Sequence, residues 1–233
     1  MDEVSNRKTM GRWAGLVYLV IIVFSAGGYM ATTGLLQGDL PIVLARLASR
    51  HASFVAAFAA MVIGFAAWVP LAFLLYRLTS FSGRLLGLLM LIFTLAGTAM
   101  NLDAMSYLLP LVGGSSSAMD PATLGPLVLS YNRITLLAQV FAGLWLFPYG
   151  LLVVRSRIAP RFLGWCVFVG GFSYLAVFAT AFAPSLNQMM AYRVVSTAFA
   201  LPAMAGELGM CVWLLLKGAS NPVRASARIA QTA

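Results

Sequence analysis

The chain has 233 residues, of which 61% are hydrophobic and 9% charged, with a formal net charge of +9. A soluble domain carries about 25% charged residues, so this composition excludes a water-facing fold and points to an all-α integral membrane protein. The basic residues gather at the ends of apolar runs, where membrane topology demands them, so the positive charge does not imply nucleic acid.

Six spans are expected along the chain, because apolar runs of about 18 residues or more read as membrane-crossing helices. The first covers residues 13–36 and is too long for a cleaved secretory leader. A short piece, "PIVLARLASR" (41–50), alternates Ile42, Val43 and Leu47 with Arg46 and Arg50. Its pattern suits a helix lying along the membrane surface. The second span covers 52–76 and the third 85–112. "GGSSSAMDP" (113–121) supplies turn and loop residues. The fourth span covers 130–154, the fifth 162–182 and the sixth 193–216. Residues 1–12 form a short leading segment, 13–217 one membrane domain, and 218–233 a polar tail.

Counting Lys and Arg by side gives the orientation. One side collects Arg7, Lys8, Arg12, Arg77, Arg84, Arg155, Arg157, Arg161, Lys217, Arg224 and Arg228, against Arg46, Arg50, Arg133 and Arg193 on the other. Both termini are therefore expected in the cytoplasm. Two cytoplasmic turns also resemble each other. "WVPLAFLLYRLTSFSGRLLG" (68–87) and "WLFPYGLLVVRSRIAPRFLG" (145–164) each place an Arg seven residues after a Pro and a second Arg three residues before a Gly. This spacing suggests a parallel repeat of helix hairpins, spans 2–3 and spans 4–5, of the kind that occurs in transporters. Pro70, Pro148 and Pro202 lie inside spans and are expected to kink them.

Ionisable residues inside a membrane are costly and therefore candidate functional groups. Glu207 lies ten residues before Lys217, about 15 Å along a helix, which is close to the bilayer middle. A carboxyl there meets a partner, stays protonated or faces water. Gly206 and Gly209 beside it allow another helix to approach. Asp103, with Asn101 and Ser106 near it, sits toward the outer end of span 3. Arg133, Arg193 and His51 sit at the starts of spans 4, 6 and 2. An ion pair of Asp103 with Arg133, or else with Arg193, follows from their depth, although arginines near helix ends also snorkel to the interface. Gln139, two turns deeper in span 4, is placed to hydrogen-bond across helices.

No catalytic set emerges. The one histidine excludes a bis-His haem and a His-cluster metal site. There is no H-E-x-x-H, no G-x-S-x-G and no phosphate-binding glycine loop. Cys166 and Cys211 lie in apolar runs and read as buried thiols, with no C-x-x-C. Glycine pairs at Gly11/Gly15 and Gly83/Gly87 have helix-packing spacing. The expected protein is non-catalytic, without metal or cofactor. It would bind or regulate in the bilayer through a small apolar or ionic ligand, a membrane-protein partner or a second copy of itself. A small carrier with Glu207 in its pathway is the alternative, and an intramembrane acid–base enzyme comes third.

The run "FPYGLLVVRSRIAPRFLGWCVFVGGFSYL" resembles the characteristic segment of the domain of unknown function 4386 family of bacterial membrane proteins. The matching positions are Gly150, Arg155, Ser156, Pro160, Arg161, Leu163, Gly164, Gly170, Gly171 and Tyr174. "GRWAGLVYLV" near the start, "LLYRL" at Leu74 to Leu78 and "GELGMCVWLLLKG" near the end are similar as well. "MLIFTLAG" in span 3 departs from the pattern, which has a basic residue there. The resemblance implies a six-helix protein of a bacterial cytoplasmic membrane and carries over no catalytic residue.

Overall fold

The computed structural model describes residues 2–114, 120–182 and 190–219, of which 2–4 and 190–196 by backbone alone. All regular elements among them are helical. The order is α1 (Asp2–Ile21), a π-helical turn (Ile22–Ala26), α2 (Gly27–Leu36), α3 (Leu40–Ser49), α4 (His51–Thr79) and, after a short 3-10 turn (Ser80–Ser82), α5 (Arg84–Ser106). Then come α6 (Leu109–Val112), α7 (Pro121–Leu144), α8 (Leu146–Ser156), α9 (Arg161–Ala179) and α10 (Met190–Lys217). Six stretches are long and apolar enough to cross a membrane: Ser5–Leu36, His51–Ser82, Arg84–Ser106, Pro121–Ser156, Arg161–Ala179 and Thr197–Lys217. The chain is a multi-pass helical membrane protein.

Helix boundaries differ from the sequence expectation at three places, each with a local cause. The first helix starts at Asp2 rather than near residue 13. Nothing between them breaks a helix, and Glu, Lys, Arg and Met favour one. The third span ends at Ser106, before a turn and the single helical turn of α6. Pro110 has no N–H to donate to the Ser106 carbonyl, so the ladder stops there. The fourth span begins at Pro121 and is interrupted at Trp145. Pro148 cannot bond back to Leu144, and the helix divides at that point. Pro70, Pro126 and Pro202 are instead carried inside unbroken helices.

The spans form a closed ring in chain order. The helix of α1 and α2 packs on α4, α4 on α5, α5 on α7, α7 and α8 on α9, and α9 on α10. The α10 helix returns to α1 and closes the circle. Closure needs close backbone approach. A side chain at Gly15 would collide with the backbone of Leu214 and Leu215, so α1 and α10 touch main chain to main chain there. Cys211 reinforces the seam, its Sγ 3.6 Å from the Gly15 carbonyl.

Two apolar clusters fill the ring. One, at the end where α1 begins and α10 finishes, gathers Leu71, Leu75, Leu78, Leu146, Leu152 and Leu214 with Tyr18 and Tyr149. The other, at the opposite end, packs Leu36, Val43, Leu47, Phe54, Met105 and Leu124. Charged side chains serve helix ends. Arg7 donates to the Leu78 carbonyl near the end of α4 (3.1 Å) and lies 4.7 Å from the centre of the Phe81 ring. Arg46 donates to Gly34 and Gln37 carbonyls (3.2 and 2.7 Å), satisfying orphan acceptors at the end of α2. Thus α3 lies against the bundle through Val43 and Leu47, with Arg46 tying it to α2.

Candidate functional site: a central cavity with one carboxylate

Glu207 reaches the interior because of the stripe it sits on. Along α10 the residues Ala203, Gly206, Met210 and Leu214 are buried at helical spacing, while Met204, Leu208 and Val212 face outward. Glu207 belongs to the inward stripe. Its neighbour Gly206 removes the side chain that would strike the Val167 backbone, which brings α9 close. On α9 the inward stripe is Gly164, Val167, Gly170 and Gly171, and Tyr174 continues it. The Tyr174 hydroxyl donates to Glu207 Oε1 at 2.8 Å. Glu207 is half-buried and lines a cavity.

That cavity has a volume of about 460 Å³ and draws its wall from all six spans. One side is aromatic. Tyr18 on α1 meets Trp68 on α4 edge-on, with ring centroids 6.0 Å apart, and Trp68 meets Trp145 at 5.0 Å. Trp145 stacks on Tyr149 at 5.2 Å behind it. The interruption at Trp145 therefore coincides with an aromatic belt across the ring. Thr94, Thr98 and Asn101 of α5 and Thr135 and Gln139 of α7 line another side. The π-helical turn adds Ile22, Ser25 and Ala26. Such turns insert one extra residue into a helix and recur at functional sites. The Tyr18 hydroxyl is turned toward Glu207 without reaching bonding geometry, and the buried Ser25 hydroxyl has no hydrogen-bond partner in the protein.

The residues singled out from sequence divide into two groups. Glu207, Asn101 and Gln139 share the cavity wall. Asn101 and Gln139 also donate to their own helices, to Gly97 (2.9 Å) and Thr135 (3.4 Å). His51, Asp103 and Arg133 are elsewhere, toward the opposite end. The His51 Nε2 lies 3.1 Å from the Leu111 carbonyl and joins the start of α4 to α6. Asp103 and Arg133 are exposed, and among the described residues no ion pair joins them. The Arg193 side chain, and with it the alternative Asp103 pair, lies outside the described residues. Among the described residues no group of three or more His, Cys, Asp or Glu side chains is gathered as a metal would require.

The sequence reading did not select Tyr174, Tyr18, Trp68 or Trp145 for the site. A signal existed for three of them. Trp68 and Trp145 opened the two matching hairpin segments, and Tyr174 closed the family-like segment. The structure brings that segment against "GELGMCVWLLLKG" through the Tyr174–Glu207 bond. A family model for a domain of unknown function, DUF4386, matches residues 13–218. The chain belongs to the DUF4386 family. The match takes in every wall residue of the cavity, so Glu207, its tyrosine partner and the aromatic belt all lie within the DUF4386 domain. No curated protein and no solved structure matches the chain significantly.

Proposed function

We propose that this protein is a non-catalytic binding protein of the bacterial cytoplasmic membrane, whose central cavity takes a small, mainly apolar ligand. Its basic end would face the cytoplasm by the positive-inside rule. The observation that carries the reading is the cavity of about 460 Å³, walled chiefly by apolar and aromatic side chains with a few convergent polar groups. Ligand sites generally have this size and lining. A regulatory or partner-linked role is compatible with such a site, since occupancy can bias the packing of a helix ring.

A carrier role is the second reading. It is favoured by the hydroxyl and amide side chains of α5 and α7, which extend the polar wall away from Glu207. Glu207→Gln should then abolish proton-linked uptake into reconstituted vesicles, whereas a binding protein shows no such uptake.

The binding reading is tested with N-phenyl-1-naphthylamine, a neutral apolar dye whose emission rises in apolar surroundings. The expected result is saturable emission with the purified protein in nanodiscs, above that of protein-free nanodiscs. Ala142→Leu, which places bulk on the cavity wall, should abolish the saturable part while the protein keeps its melting transition. Equal saturable emission from the filled variant would refute a ligand site in the ring.

A further inference from the structure

Among the described residues the cavity wall contains no Lys, Arg or His, and Glu207 is the one carboxyl on it. A charged group inside a protein is retained where something compensates it. The Tyr174 hydroxyl solvates one carboxylate oxygen but brings no positive charge. Around the same space stand the rings of Tyr18, Phe65, Trp68, Phe93, Trp145 and Tyr174. Aromatic rings carry negative charge on their faces and attract cations, Trp most strongly. The wall thus offers two independent attractions to positive charge and no side-chain cation to an anion. Apolar contacts supply the rest of the surface.

We propose that the site is selective for lipophilic organic cations: an amine or quaternary ammonium head near Glu207, carried on an apolar body small enough for the cavity. This rests on the binding reading above and specifies its ligand class. The head displaces no ion pair on entry, because none joins the described wall residues. Its charge meets the carboxylate in a low-dielectric space, where such pairing is stronger than in water. Gln139 supplies a further oxygen acceptor on the same wall.

A series of three probes of nearly the same shape and differing charge tests it. Benzyltrimethylammonium is the cation, neopentylbenzene its neutral carbon isostere, and phenylmethanesulfonate an anion of similar size. Each is titrated into the native protein in nanodiscs, following the tryptophan fluorescence, to which Trp68 and Trp145 on the wall contribute, against protein-free nanodiscs and confirming by calorimetry. The expected order is cation tightest, with at least about a tenfold advantage over the neutral isostere, and the anion weakest. In Glu207→Gln the cation should lose about tenfold or more while the neutral probe changes less than about twofold. Equal binding of cation and neutral probe, or tighter binding of the anion, would overturn the cation assignment and leave an apolar binding site standing. Failure of all three to bind would overturn both. The charge series in the native protein decides the matter even if Glu207→Gln does not fold.

Discussion

Glu207 and Asp103 are two carboxyl residues on apolar helices, and the fold treats them in opposite ways. Glu207 sits mid-helix on the inward stripe of α10, accepts a hydrogen bond from Tyr174 and borders the central cavity. Asp103 sits one turn from the end of α5, exposed, with its backbone carbonyl bonded to Ser106 Oγ at 2.6 Å. The general cost of charge in a membrane applies to both by sequence, yet only depth and helix face decide how it is met. A carboxyl near a helix end reaches water or headgroups. One in the middle must be given a partner and a space.

The contrast can be broken or sharpened by substitution. The largest effect is expected from Gly206→Leu, because the added side chain meets α9 backbone rather than a yielding side chain. It should cost about 3 kcal/mol or more and push Glu207 away from Tyr174. Thermal melting in detergent would reveal it as a large drop in midpoint, and a native-like midpoint would deny the close α9–α10 seam. Trp68→Ala comes next. It removes the ring that links Tyr18 to Trp145 and should cost about 3 kcal/mol in stability, with a loss of cation binding beyond what the same melting shift explains in a distal control. Tyr174→Phe keeps the ring and deletes the donor. Removing a hydrogen bond to a charged group costs about 1.5–3 kcal/mol, here felt mainly as altered cation affinity rather than loss of fold. Asp103→Asn is the smallest, within about 0.5 kcal/mol in melting and without effect on binding. A large Asp103 effect would erase the distinction between the two ends.

Much of the architecture could be read before the structure. Apolar run length located six spans, and missing proline N–H groups account for the break at Trp145 and the early end of α5. Glu207 stood out because one carboxyl in a long apolar run is conspicuous. What surrounds it did not. Helices that are apolar nearly all round give little periodic signal of which face is interior, so Tyr18 and Trp68 read no differently from lipid-facing aromatics. Asp103 and Arg133 were paired on depth and on the succession of their spans, and neither specifies the face. The ring closure between α1 and α10 was hinted at by Gly11 and Gly15, but their partners at Leu215 and Ala219 are some two hundred residues away and only the fold identifies them.

The central claim is that Glu207, unlike Asp103, borders an enterable space within the helix ring. Dicyclohexylcarbodiimide, an apolar reagent that traps the protonated fraction of a carboxyl group in exchange with its ionised form, tests it directly. After brief treatment of the protein in nanodiscs, peptide mass spectrometry would locate the adduct, with and without benzyltrimethylammonium present. The account predicts an adduct at Glu207 that the cation suppresses, and none at Asp103 that it suppresses. An adduct at Asp103 with Glu207 unmodified, or labelling of Glu207 that the cation leaves unchanged, would contradict it.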